Sequence, residues 1–557
     1  MIKTVIKSAL FIGCFVSCKK GSSPPNSPPP VLLVILKSMV VNGASFEDGM
    51  HGVNSTTIIK ASFSQPILHG SEASAISLTD LNGTAVSVTT SFQNSDSSLL
   101  IQTTIPLQYL TKYNFKISTA LKSASGGNLI SSVDKLFCTK IDSVSKFPVL
   151  SDDALLDKVQ QQTFKYFWDF GHPVSGLSRE RSNGDNNVVT IGGSGFGIMS
   201  IVTAINRNFI TRAQGLARLQ LITLFLKNTA QTLKGAYPHW MNGSTGAIIP
   251  FSQKDDGADL VETSYLVQGL LCARQYFNST DPAENSLRAD INTICDRVEW
   301  DWFSRNNGDV LYWHFSNNYT WEMNHQIKGW NECMITYILA ASSTTHSISA
   351  SVYTSGWAGN GTNGFMNGNT YYGYKLPLGP PNGGPLFFSH YSFLGVNPNG
   401  LSDAYANYAT QTKNHTLINY SYCAANPNNY YGYSNLCWGL TASDISNGYT
   451  ASSPNNDVGV IAPTAALSSM PYTPTESLKT LKFFYYTLGD KIFKDYGFVD
   501  AFSLKDLWYA PSFLAIDQGP IILMIENYRS GLLWNLFTSC PEVKAGMKKL
   551  NFTAPYL

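Results

Sequence analysis

The feature that most limits the fold is a change of hydrophobic period near Pro148. Before it, apolar and polar residues alternate: Ile59, Ala61 and Phe63 in IIKASF, Tyr113, Phe115 and Ile117 in YNFKI. Side chains at i and i+2 share one face of a strand, so period two reads as half-buried β-structure. Turn signals at Asn82-Gly83 and Gly126-Gly127 separate the runs. Several short strands over residues 31–141 predict a β-sandwich. After Pro148 the period becomes helical, as in DALLDKVQQQTFKYFW with Leu155, Leu156, Val159, Phe164 and Phe167. Helical stretches are expected near 197–207, 211–233, 258–277, 285–303, 330–342, 475–488 and 520–537. Long Gly-, Asn-, Pro- and Tyr-rich loops at 351–400 and 420–458 separate some of them, and loops of that length are usually functional. This pattern predicts a mainly α second domain, an α/α toroid, with an irregular helical domain as the alternative.

Charge excludes one class of partner. Asp, Glu, Lys and Arg make up 13% of the chain, the net charge is +1, and no basic run is longer than the two residues of Lys19-Lys20. Nothing here is an electrostatic footprint for nucleic acid. Aromatic residues also reach 13%, and all eleven tryptophans follow residue 150. The aromatic machinery therefore belongs to the helical part. No feature calls for a partner chain, and a monomer is the expectation.

The N-terminus begins MIKTVIKSALFIGCFVSCKK. Lys3 and Lys7 precede an apolar run over 8–17 that is too short to span a bilayer. Small Ser17 precedes Cys18, which resembles a bacterial lipoprotein signal over 1–18, with Cys14 a second candidate. An ordinary secretory peptide or a plain tail is the alternative. Residues 19–30, rich in Ser and Pro, read as an extended tether. Lipidation at Cys18 implies an exported envelope protein, in the periplasm or at the outer membrane. Seven other cysteines are scattered without a C-x-x-C or zinc spacing. Cys423 and Cys437 either pair across a loop or remain free buried thiols.

The stretch KDDGADLVETSYL gathers Asp255, Asp256, Asp259 and Glu262 at the start of an apolar segment. On a helix, Asp255, Asp259 and Glu262 would stand at i, i+4 and i+7, on one face. Acids favour helix N-termini, which accounts for one or two of them. Glu262, a turn further in, is less easily explained. Calcium is a third reading, but the spacing does not fit an EF-hand loop. Glu332, in IKGWNECMITYIL, begins another apolar helix. Alone it reads as a cap-region acid. Paired with the first cluster it supplies what glycoside hydrolysis needs, two carboxyl groups flanking the scissile bond. Arg181, His239, Trp240, Trp330, Trp438, Asp444 and Asp517 are the residues best suited to bind sugar. Asp517 can equally be a helix cap and the tryptophans core. Glu526 and Arg529, at i and i+3, read as a structural pair.

The segments SGFGIM, KDDGADLVETSYLVQGLL, GWNECMITYILAASS, FFSHYSFLG, CWGLTASD and AIDQGPIILMIENYRSGLLW, in this order, resemble the glycoamylase-like domain of glycoside hydrolase family 144, the bacterial β-1,2-glucanases. The resemblance covers residues 150–553, and residues 31–141 resemble the bacterial Ig-like domains that precede secreted enzymes. It implies an (α/α)6 toroid, an inverting mechanism, β-1,2-glucan as substrate, and no metal or other cofactor. It also implies catalytic importance for Asp255, Asp259, Glu262 and Glu332, with the base left open among the first three. Rival readings are an exo-acting, sophorose-releasing hydrolase on the same fold, a lyase on a similar toroid and a non-catalytic glycan-binding lipoprotein. Cys18→Ser is expected to abolish labelled fatty-acid incorporation and release the protein from membranes. Uptake that persists would move the acceptor to Cys14 or another site, and no uptake by the wild type would refute the lipoprotein reading.

Overall fold

The computed structural model describes residues 30–305, 308–362 and 364–557. Cys14, Cys18 and the tether up to residue 29 lie outside them. The chain divides into two compact units, the first ending at Lys140 and the second running from Ile141 to Leu557.

The first unit contains β1 (Leu36–Val41), β2 (Ala44–Ser45), β3 (Met50–Val53), β4 (Ile58–Phe63), the short α1 (Ser71–Ala75), β5 (Ile76–Asp80), β6 (Val88–Gln93), β7 (Ser98–Thr103), β8 (Lys112–Ile117) and β9 (Val133–Thr139). Two sheets form, in the orders β2-β1-β4-β7-β6 and β3-β9-β8-β5. Pairing of β4 with β7 sets Ile59 against Ile101 and Ala61 against Leu99. All four side chains are buried, together with Phe115, Ile117 and Phe137 of the other sheet. Burying each large apolar side chain contributes about 1.5–3 kcal/mol, so this alternation specifies the register. At the Asn82-Gly83 turn the Asp80 carboxylate accepts from the amides of Asn82 and Thr84, at 2.9 and 2.8 Å.

The second unit is mainly helical, as its period indicates. It contains α2 (Asp152–Trp168), α3 (Ile191–Asn206), α4 (Arg212–Asn228), α5 (Leu260–Tyr276), α6 (Pro282–Asp296), α7 (Met334–Ser342), α8 (Tyr408–Ala425), α9 (Pro463–Leu467), α10 (Pro474–Lys482), α11 (Gly489–Ile492), α12 (Ala515–Ser530), α13 (Leu532–Ser539) and α14 (Pro541–Lys549). Helix α12 packs on α3, α3 on α5, α5 on α7, and α9 on α12, while α2, α13 and α14 back this inner set. Caps mark the starts: Ser151 for α2, a Thr211–Gln214 capping box for α4, Asp259 for α5.

Three elements differ from the sequence expectation. Helix α3 begins at Ile191 and takes in Gly192, Gly193 and Gly195, which read as helix breakers. Each glycine costs a helix about 1 kcal/mol relative to alanine, so packing must supply the reason. A Cβ on Gly195 would stand 2.1 Å from the Tyr265 carbonyl oxygen, and one on Gly269 2.2 Å from that of Gly195. The backbones of α3 and α5 touch there, and only glycine permits it. The expected helix over 520–537 is two helices, because Gly531 takes a left-handed conformation at φ +67°. Pro520 lies inside α12 rather than at its start. Glu526 pairs with Arg207 at 2.6 Å and Arg529 with Asp157 at 2.5 Å, so these two acids and bases are not partners of each other.

Gly195→Ala is expected to cost about 3 kcal/mol, the upper end for overpacking a close contact. Thermal or denaturant unfolding measures it, and a change below about 0.5 kcal/mol would show that the helices can separate freely.

Candidate active site

Asp259 ends a two-residue strand, β10 (Ala258–Asp259), that pairs with β11 (His314–Phe315) and sets Asp259 opposite His314. The next residue starts α5, so Asp259 is its N-cap and not a residue within it. Its Oδ1 accepts from the amides of Val261 and Glu262, both at 2.9 Å. Its Oδ2 lies 3.1 Å from His239 Nδ1 and 3.6 Å from His314 Nε2. Asp255 reaches the same imidazole from the preceding loop, at 3.3 Å. The three acids therefore converge through a cap, a loop and a helix rather than along one helical face.

Asp255, Asp259 and His239 place ligand atoms within 4.8 Å of one another. Two carboxylates at that separation repel by about 3 kcal/mol where the effective dielectric constant is near 20. His239 answers that repulsion. Burial opposes its charge, but Glu262, Asp259 and Asp255 together lift its pKa to about 9. It is an imidazolium at neutral pH, stacked on Phe251 at 4.1 Å. A cation at this cluster would have to displace that proton. Burial alone would raise Asp259, but the His239 hydrogen bond and the His314 and His239 charges hold it below the ordinary carboxylate value.

Glu262 sits in the first turn of α5 and crosses to α3. Its Oε2 accepts from the Gly192 amide at 2.7 Å. Burial, then Asp259 and Asp255, raise its pKa to about 7, against the pull of His239 and the Gly192 amide. Glu332 precedes α7, and its backbone carbonyl accepts from Ser392. Burial, reinforced by Glu262 and Asp259, lifts its carboxyl to about 7 as well. Both glutamates open onto one cavity of about 470 Å³, which Tyr265 also lines, with aromatic walls from Trp240, Phe251 and Trp313.

Arg181 and Glu180 form the polar wall. Arg181 donates to Glu180 at 2.8 Å and to both Asp444 oxygens at 3.2 and 3.3 Å. Asp444 also accepts from Ser512 at 2.5 Å, and its own amide donates to Asp500 at 2.7 Å. Behind it, Asp500 and Asp517 are 1% and 2% exposed and lie close enough for each carboxyl to shift the other, a pair suited to sharing one proton. Burial and mutual repulsion raise Asp500 to about 7 and Asp517 well above the usual carboxylate range.

Of the residues expected from sequence, Arg181, His239, Trp240, Glu262 and Glu332 line the cavity. Asp255 and Asp259 stand behind His239, fully or nearly fully buried. Asp444 holds Arg181, and Asp517 lies one layer deeper. Two expectations are corrected. Trp330 packs among Trp357, Tyr408 and Phe393 and is 4% exposed, and Trp438 is 0% exposed against Tyr420. Neither reaches the cavity, because both indoles fill the helical core. Sequence reading missed Glu180, Tyr265, His314, Trp313 and Asp500. A lone acid in GFVDAF carries no pattern, and His314 becomes informative only through the β10–β11 register. Cys423 and Cys437 are buried free thiols in the structure.

Comparison with known proteins follows this geometry. A family model described as "Putative glucoamylase" matches residues 324–541, and the bacterial Ig-like domain model matches residues 37–139. The structure of an endo-β-1,2-glucanase from Chitinophaga pinensis in complex with sophorotriose and glucose is 52% identical, with TM-score 0.72, over 73% of this chain and 100% of that one. A β-1,2-glucanase from Parabacteroides distasonis is 37% identical, with TM-score 0.70, over 95% of this chain and 74% of that one. An exo β-1,2-glucooligosaccharide sophorohydrolase acting at the non-reducing end, also from P. distasonis, is 45% identical over 427 residues. That match takes in 73% of this chain and spans 59% of the curated relative's own length.

The Asp500–Asp517 pair generates a pH-dependent expectation. Asp517 has a higher pKa folded than unfolded, so folding retains a proton that the unfolded chain releases. Its contribution is harmless near pH 4 and increasingly destabilising as pH rises above the unfolded value of about 3.9. Asp517→Asn keeps a neutral hydrogen-bonding group there. Its thermal midpoint is expected to exceed that of the wild type at pH 8 by about 3 °C, roughly 1 kcal/mol, and to match it near pH 4. A variant less stable at every pH would show that the pair is not sharing a proton.

Proposed function

The chain belongs to the glycoamylase-like family, glycoside hydrolase family 144, and from that premise we propose that it hydrolyses linear β-1,2-glucan to short sophoro-oligosaccharides. The observation that carries this reading is the pair of glutamates, Glu262 and Glu332, opening onto one aromatic-walled cavity with unlike electrostatic surroundings. Glu262 has the His239 cation and the Gly192 amide to favour its ionised form. No cation is among the influences on Glu332; burial first, and then the two neighbouring carboxyls, favour its neutral form against the pull of its own backbone amide. With both carboxyls raised to about 7, the pair can share one proton near neutral pH, and the mechanism places it on Glu332, the member without a cation beside it.

Glu332 then donates to the glycosidic oxygen as the bond to the anomeric carbon breaks. Glu262 takes a proton from the water that attacks that carbon from the opposite face. The configuration inverts, and a β-linkage yields an α-product. Asp259 and Asp255 act through His239, fixing its charge beside Glu262. Carboxyls whose surroundings favour opposite protonation states are how a single fold performs acid and base chemistry at one pH. Endo cleavage is the favoured mode, because the match to the endo-acting relative takes in the whole of that chain. Exo release of sophorose is the second reading, favoured by the similarity to the sophorohydrolase. The enzyme would act as a monomer, tethered to the cell envelope by lipid on Cys18, where long extracellular glucans are met.

Purified protein with β-1,2-glucan is expected to give a ladder of short oligosaccharides, with starch and laminarin left nearly intact. Early release of disaccharide alone would favour the exo reading, and glucose from starch with β-1,2-glucan untouched would refute the substrate. Glu332→Gln is expected to lower kcat by about 10²-fold or more, within the usual range for general acid–base catalysis, with the fold intact. Proton NMR should show the α-anomer first. A β-anomer first, or near-normal turnover in Glu332→Gln, would overturn the assignment.

A further inference from the structure

Tyr265 is a cavity residue whose hydroxyl the mechanism above leaves unused. It stands three residues after Glu262 on α5, so both project from the same face of the helix. Its side chain is 2% exposed and lines the cavity. The ring is clamped by Phe196 of α3 at 5.5 Å and by Tyr391 at 5.6 Å. From below, Gly192 leaves the space it fills, since a Cβ there would stand 2.9 Å from Tyr265 Cδ2. A phenol held this way cannot swing its oxygen elsewhere.

That oxygen is buried and has no hydrogen-bond partner among the described residues. Buried hydroxyls are normally paired, because an unmade bond costs stability. After burial, Glu332, Cys333 and Glu262 act on it electrostatically, yet it bonds to none of them. Burial and those charges push its pKa well above the ordinary phenol value, so it remains a donor throughout the working pH range. A rigid, protonated donor near two catalytic carboxyls, unused by the protein itself, is suited to an oxygen on the ligand.

We propose that Tyr265 donates a hydrogen bond to a hydroxyl of the sugar bound between Glu262 and Glu332, and so fixes that sugar's rotation within the cleft. The proposal rests on the hydrolase reading given above. In a β-1,2-linked chain the hydroxyls beside the linkage lie close to the reacting centre, so one fixed donor constrains the angle at which the linkage meets Glu332.

Tyr265→Phe tests it, because the substitution removes one oxygen that has no protein partner. On β-1,2-glucan, kcat/KM is expected to fall about tenfold and the inhibition constant of a short β-1,2-linked oligosaccharide to rise, as for loss of one well-made hydrogen bond. The thermal midpoint is expected to hold or rise, since an unpaired buried group is lost. Unchanged kcat/KM would overturn the proposal. A parallel fall in activity and thermal midpoint would assign a structural role and also overturn it. A fall in kcat with an unchanged inhibition constant would put the hydroxyl on the attacking water and refute the sugar contact. Wild-type protein that leaves β-1,2-glucan uncut would instead refute the hydrolase reading, and this inference with it.

Discussion

The contact on which the site depends is the backbone approach of α3 to α5. Gly195 and Gly269 remove the side chains that would hold the helices apart. Helices usually pack with axes 8–10 Å apart, set by the side chains between them, and glycine on both sides allows the short end of that range. The approach has a direct chemical consequence: it brings the Gly192 amide to within 2.7 Å of Glu262. An α3 displaced outward by one methyl layer would leave that carboxylate without its backbone donor. The helix-breaking tendency of the glycine run is thus offset by packing, and the packing fixes an acid in the cavity wall.

Charge then differentiates carboxyls that are chemically alike. Asp259 is held ionised by two helix amides and two imidazoles. Glu262 and Glu332 are both raised to about 7 and each has a backbone amide that favours its ionised form, but only Glu262 has a cation beside it. His239 therefore does two things. It relieves the repulsion among Asp255, Asp259 and Glu262, and it biases the shared proton toward Glu332. The Arg181–Asp444 wall shows the same economy, with an arginine held by two carboxylates and a protonated acid pair beneath. Buried charge is tolerated in both places because each has a partner within hydrogen-bonding distance.

Much of this was legible in the chain. The change of period separated a β-rich unit from a helical one, and the acids in KDDGADLVETSYL together with Glu332 are residues that the structure gathers in or beside one cavity. What failed to show did so for physical reasons. IGGSGFG reads as a breaker because helix propensity is local, whereas the Tyr265 carbonyl that forbids a side chain at Gly195 is distant in sequence. Asp259 reads as a helical residue because a cap and a first turn differ by one dihedral setting. Trp330 and Trp438 read as platforms because an indole on a wall and an indole in a core have the same letter. Tyr265 reads as core, and most of it is core; its unpaired oxygen exists only in three dimensions.

The central claim is that one proton is shared by Glu262 and Glu332 near neutral pH and rests on Glu332. Carbon-13 NMR of protein labelled at the glutamate carboxyls measures this directly, with Glu332→Gln used to assign the signals. The expected result is two carboxyls titrating about two to three units above the ordinary glutamate value of about 4.3, the Glu332 resonance carrying the proton at pH 7. Once residue 332 is neutral at every pH, the Glu262 signal should titrate lower. Both signals titrating near the ordinary value, or the proton residing on Glu262, would contradict the account.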